Sequence, residues 1–312
     1  MFGYFATAGK ILATTVVVFL VALAWQPREL PDTAEIKLAS TNTVPVVAEK
    51  VSSEYSVLVE PITILLVPGH DLYSSGAEFK GVKEETLTRQ LAEKIDDLLT
   101  TDGRFQVIRV RDYNSGEYTE EFAVYFSGAE TQIKRFRQTA RETMKNLLGT
   151  GKIEKINNGI EHNYARDDVS FRLYGLNKWG NDHEVDLSLH LHFNDYPRKN
   201  LGSPGKYKGF AMYIPERQLA NGATSRALAE DIYDRLQWVS ATSTFPLEAE
   251  TIIETQDLIA TGSYNSQTQP AMLVEYGYIY EPRIYLDNKR MQTLDVLAEA
   301  TYRGIVRYFF GR

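Results

Sequence analysis

Residues 185–195, VDLSLHLHFND, place two of the chain's five histidines two positions apart in a run that alternates apolar and polar residues. Successive strand side chains point to opposite faces, so Val185, Leu187, Leu189, Leu191 and Phe193 form a core face. Glu184, Asp186, Ser188, His190, His192 and Asn194 then look together toward a groove or solvent. Three more polar residues stand at comparable places: His70 closes an apolar run in LLVPGH, Glu275 follows Met272 to Val274 in MLVEYGY, and Glu84 opens a helical pattern in GVKEETL. Two imidazoles and a carboxylate that converge make a three-ligand set for zinc, with the fourth place left for water. A carboxylate outside that set can serve as general base and then as proton donor. With no cysteine in the chain, disulfides, thiolate catalysis and thiolate ligands are excluded, and His, Asp and Glu remain as the strong metal ligands.

The surrounding pattern supplies elements to position these groups. ITILLVPGH reads as a buried strand, KEETLTRQLAEKIDDLLTT as a helix with Leu87, Leu91, Ile95 and Leu98 on one stripe, and RFQVIRVRD as a second strand. A charged, mostly helical stretch follows over about 119–151, then a helix at DVSFRLYGLNKWG and the histidine-bearing strand. GFAMYIPE reads as a strand, TSRALAEDIYDRLQWV as a helix, AMLVEYGYI as a strand and MQTLDVLAEATYRGIVRYFF as a closing helix. Strands alternating with helices predict an α/β fold, a single domain over 56–312 with a mostly parallel twisted sheet flanked by helices. In such open sheets ligands collect beyond the carboxyl ends of the strands, where His70, His192, Asn194 and Glu275 fall.

A net charge of -7 argues against a broad phosphate-binding surface, so no nucleic-acid partner is expected. The apolar run ILATTVVVFLVALAW, preceded by Lys10, predicts an N-terminal apolar helix: either a transmembrane anchor over 1–26 or a signal segment cleaved near Ala24. Both imply export, with the membrane as partner in the first case. Residues 27–55 are polar, with scattered Pro, Ser and Thr, and read as a linker.

Three segments together resemble the zinc-dependent N-acetylmuramoyl-L-alanine amidases that trim bacterial peptidoglycan. PGHDLYSSGAEFKGVKEE resembles that family's opening motif, DLSLHLHFND its second and PAMLVEYGYI its third, and the likeness runs over roughly residues 60–312. The resemblance implies zinc held by His70, Glu84 and His192, with Glu275 as general base acting on the amide between N-acetylmuramic acid and L-alanine. Asp186 and Asn194 stand at the family offsets from His192, which selects it over His190; His190, Asn194 and Arg111 become candidates for supporting or substrate contacts. Glu84 fits the motif better than Glu85. Two departures stand out: Val67 replaces an aspartate common before Pro-Gly-His, and Asp71-Leu72 replaces a glycine pair, which predicts a changed environment for the first ligand. The stretch 113–166 exceeds the family core and is a candidate lid or docking site for a regulatory protein. A lid predicts that removing 119–151 raises activity.

Taken singly, each residue also has an ordinary reading. His70 could simply cap a strand end, His190 and His192 could be a half-exposed pair, Glu84 could favour a helix N-terminus, and Arg111 could form a surface ion pair. Glu275 resists such a reading, because a carboxylate within AMLVEYGY is costly to bury unless paired or metal-linked. The competing functions are a related exported zinc metallohydrolase acting on another amide, and a catalytically inactive wall-binding or regulatory protein.

Overall fold

The computed structural model describes residues 60–160, 165–262 and 264–311. The expected N-terminal apolar segment and linker lie outside them. Among the described residues no helix is long and apolar enough to cross a membrane.

In chain order the strands are β1 (Ile62–Pro68), β2 (Glu78–Phe79), β3 (Val82–Lys83), β4 (Phe105–Arg109), β5 (Leu187–Asn194), β6 (Ala211–Pro215), β7 (Ile252–Thr255) and β8 (Ala271–Tyr278). The helices are α1 (Glu84–Asp102), α2 (Glu120–Gly128), α3 (Glu130–Gly149), α4 (Asp167–Asp182), α5 (Gly222–Leu236), α6 (Pro282–Tyr285) and α7 (Asp287–Phe310). Six strands form one sheet in the order β4-β1-β5-β8-β6-β7. All neighbours are parallel except β6 and β8, which run antiparallel. The mostly parallel α/β sheet expected from the sequence is therefore present. β7 was not foreseen, because its four residues IIET sit at the sheet edge and are too short for a periodic signal. The charged, mostly helical stretch consists of two helices, α2 and α3, that meet at Ala129.

The two faces of the sheet are covered differently. On one face Leu66, Leu189, Phe193, Met272 and Val274 pack with Leu87, Leu91 and Ile95 of α1, Ile232 of α5 and Leu297 of α7 in the main core. On the other face Leu65 and Val67 meet Phe122 of α2 and Leu176 and Trp179 of α4, while Ile133 and Ala140 of α3 pack on Tyr174 of α4. Of the two expectations for the polar face of β5, a groove or solvent, this second layer removes solvent for Ser188 and His190, which are buried beneath α4, while His190 and His192 line a cavity.

The helices within 113–166 thus complete a core layer. Phe122 and Ile133 are fully enclosed, so Phe122→Ala is expected to cost about 3–5 kcal/mol and to lower the thermal midpoint measured by circular dichroism. Removal of 119–151 should likewise destabilise the protein rather than simply unmask activity; a deletion variant melting like the parent would contradict this role.

Candidate metal centre

His70, Glu84 and His192 meet at the carboxyl ends of β1 and β5, each offering one ligand atom, with these atoms all within 4.8 Å of one another. Glu84 opens α1, where a carboxylate is favoured by the helix dipole. The short hairpin β2–β3 turns through Lys80 and Gly81, both at positive φ, and feeds directly into that helix. Glu84 N–H donates to the Ala77 carbonyl at 2.9 Å, and Ala77 N–H donates to Glu84 Oε2 at 3.0 Å. The same oxygen lies 3.1 Å from His70 Nε2. The other oxygen, Oε1, lies 3.0 Å from His192 Nδ1 and accepts from Phe193 N–H at 3.1 Å. The two imidazoles stand edge to face with ring centroids 5.0 Å apart.

Two glycines allow this closeness. A Cβ on Gly69 would lie 2.5 Å from His192 Nε2 and 2.6 Å from the Leu191 carbonyl, and one on Gly76 would lie 2.4 Å from Glu84 Oε2. His70 itself sits in the left-handed region at φ 64°, a strained backbone for a non-glycine residue. A buried carboxylate facing two imidazoles in a cradle with no room for another methyl is a donor set that suits zinc.

The electrostatics of the cluster centre on the buried Glu84 carboxylate. Burial opposes ionisation of Glu84, but the His70 charge and hydrogen bonds from both histidines hold its carboxyl far below the usual range. Burial lowers His192, only partly offset by Glu84. For His70, burial is outweighed by Glu84, by a backbone hydrogen bond with Ser74 and by Asp71, so its pKa is raised. Ser74 and Asp71 thus stand beside the first ligand where the sequence departs from the motif. Asp71 accepts from Tyr73 and Ser74 N–H at 3.0 and 2.8 Å and pairs with Arg172 at 3.2 Å, fixing the turn without a glycine pair. Val67 packs in the second core layer.

Glu275 stands beside His192 on the adjacent strand, in direct register with it. Its Oε2 is buried without a hydrogen-bond partner. Burial, then the charges of Glu84 and Glu248, raise its pKa well above the ordinary carboxyl value.

The remaining candidates occupy distinct places. His190 is buried beneath the centre with neither ring nitrogen partnered, and burial together with the His192 charge lowers its pKa to about 3. Asn194 turns away from the three ligands and donates to Glu248 Oε1 at 3.0 Å. Arg111 is enclosed and reaches Glu85 Oε1 at 3.5 Å, so it braces the residue after the ligand glutamate. Glu85 also holds Arg89 at 2.7 Å, an ordinary helical ion pair. Sequence reasoning missed Glu248, a buried carboxylate that accepts from Asn194, from Tyr213 and Tyr278 hydroxyls at 2.7 and 3.1 Å, and from the Ser243 hydroxyl. It lies in a short 3-10 turn with no motif around it, so only the fold reveals it. Beside the centre a cavity of about 870 Å³ extends from His70 and His192 over His190 toward α4 and the segment 155–160.

At the strand ends a buried carboxylate thus faces two half-buried imidazoles, with the Glu275 carboxyl in register beside them, a donor set that could hold a metal ion in an α/β fold. A family model for N-acetylmuramoyl-L-alanine amidases matches residues 64–307, and the chain belongs to that family. Its activity is accordingly hydrolysis of the amide joining N-acetylmuramic acid to L-alanine in peptidoglycan. No curated protein sequence matches the chain. Among solved structures the fold is similar to the CwlD amidase of Clostridioides difficile, solved in complex with the GerS lipoprotein, at 17% identity and a TM-score of 0.52, covering 79% of this chain and 98% of that one. It is similar also to the N-acetylmuramyl-L-alanine amidase of Mycobacterium smegmatis, at 15% identity and a TM-score of 0.51, covering 80% and 98%.

Two outcomes are expected of the centre. Gly69→Ala should push His192 aside and weaken zinc binding by about 10–100-fold, read by competition with a chelator; unchanged affinity would contradict the close approach. Because Glu275 has a raised pKa, the folded state keeps a proton that the unfolded chain releases near its ordinary 4.5. The stability it contributes is therefore full below that pH and is lost as pH rises through the folded value. In metal-free protein, the melting-temperature advantage of Glu275→Gln over the parent should grow from about pH 5 to about pH 8, whereas a constant gap would contradict the shift.

Proposed function

We propose that the chain is a zinc-dependent amidase in which His70, Glu84 and His192 hold the metal and Glu275 moves the proton. The meeting of these three ligand atoms within 4.8 Å supports this reading most directly. Bound zinc supplies Lewis acidity toward the scissile carbonyl and makes water a better nucleophile near neutral pH. Glu84 contributes negative charge to the centre, and both imidazoles bind in their neutral form through the nitrogens facing it.

Glu275 takes the proton from the attacking water and delivers it to the departing amine of L-alanine. Its raised pKa suits that second step, because a carboxyl that keeps its proton is the better donor. Hydrogen bonding by Asn194, Tyr213 and Tyr278 keeps the Glu248 carboxylate in place nearby, where its charge opposes ionisation of Glu275.

Export fits this substrate. The run Ile11 to Trp25 is read as a membrane anchor facing the cell wall or periplasm, or as a signal cleaved near Ala24, ahead of a linker over 27–55 and a catalytic domain over 56–312. A regulatory partner is a further expectation, in line with the lipoprotein solved with the Clostridioides difficile relative.

Digestion of purified peptidoglycan followed by mass spectrometry tests the proposal. Free stem peptides beginning with L-alanine should appear, and should vanish on chelation and return with zinc. Glu275→Gln should keep stoichiometric zinc yet lose about 10²–10⁴ in rate, whereas His192→Ala should lose the metal. A different cleaved bond, or a fully active Glu275→Gln, would overturn the assignment.

A further inference from the structure

We propose that the cavity beside the metal centre seats the acidic stem peptide on the amine side of the scissile bond, with Arg141 pairing a peptide carboxylate above a floor formed by His190. The inference rests on the amidase reading of the same centre and names which part of the substrate this cavity recognises.

The floor is a polar group in want of a partner. His190 is 1% exposed, lines the cavity, and has no hydrogen-bond partner at either ring nitrogen. Buried imidazole nitrogens left unpaired are costly, so a ligand offering a peptide N–H or carbonyl is favoured there. The walls are apolar: Val67, Leu173, Leu176 and Leu273 suit the methyl groups of an alanine-containing peptide. A concave apolar site with a few converging polar groups is the usual form of a ligand pocket.

The rim selects charge. Although the chain carries -7 overall, the cavity is lined by three cationic side chains against two carboxylates. Two of the cations are already paired, Lys155 with Asp257 at 2.9 Å and Arg172 with Asp71 at 3.2 Å. Arg141 has no carboxylate partner among the described residues. Its Nη2 lies 3.3 Å from Ser170 Oγ, its Nε 3.4 Å from the Tyr174 hydroxyl, and its guanidinium 5.4 Å from the Tyr174 ring. These weak contacts orient the planar fork while leaving it free to take a carboxylate by two parallel hydrogen bonds. A neutral glycan would leave that guanidinium unused, whereas a stem peptide with free carboxylates would engage it. Arg141 belongs to α3, within the stretch 113–166, so this preference is built by the chain's added layer.

The test is isothermal titration of the zinc-loaded full chain with L-Ala-γ-D-Glu-L-Lys and with its carboxyl-amidated form. The parent protein should bind the acidic peptide about tenfold more tightly than the amidated one. Arg141→Gln, on an exposed helix position and checked for an unchanged melt, should reduce that preference to within about twofold, and Arg141→Lys should retain part of it. Equal or absent binding of the two peptides by the parent, an undiminished preference in Arg141→Gln, or stronger binding of a neutral N-acetylglucosamine oligosaccharide would overturn the proposal. Amide hydrolysis is followed in parallel. Acid-dependent peptide binding without hydrolysis would overturn the amidase reading and leave the cavity assignment standing.

Discussion

The carboxylate of Glu84 lies where α1 begins and β1 and β5 end, and each of its oxygens faces one imidazole and one backbone N–H. A buried anion costs several kcal/mol unless opposite charge and hydrogen bonds surround it. Its burial therefore requires that the three elements arrive together. The β2–β3 hairpin sets the start of α1, Thr88 ties that helix to the Gly69 carbonyl at 2.8 Å, and Gly69 N–H continues the pairing of β1 with β5 at 2.8 Å. Without those restraints the two imidazoles would not face one point.

The sheet carries the same logic outward. Residues in register across β5 and β8 share a face, so His190 stands beside Leu273 and His192 beside Glu275. Two residues along each strand, the environment changes from a covered, unpartnered imidazole to the proposed ligand His192 beside the proposed proton carrier Glu275. The layer of α2, α3 and α4 is what makes this difference. By covering β5 it buries His190, and by placing Arg141 at the cavity rim it gives the far side of the centre its charge.

Much of this was legible in the sequence because it depends on local chemistry. Pro-Gly-His at a strand end and a glutamate at a helix start have ordinary readings alone, whereas a glutamate within AMLVEYGY does not, and it is the order of the three motifs along the chain that carries the resemblance and the ligand set it implies. The alternating run around His190 and His192 fixed their common face, and the structure keeps it. What was not legible depends on the third dimension. The polarity of Ser188 and His190 left a groove and solvent equally open, since no period in the sequence shows that α4 will lie over them. Glu248 is joined to Asn194, Tyr213 and Tyr278 only through the sheet, and its own neighbours PLE carry no signal.

The central claim is that one divalent ion is shared by His70, Glu84 and His192. Anomalous diffraction at the zinc edge from crystals of the zinc-loaded protein tests it most directly. A single strong peak should appear about 2.0–2.2 Å from one atom of each of these three side chains, on the side where Glu275 stands. A peak held by other residues, or none at this cluster in protein that retains zinc, would contradict the account.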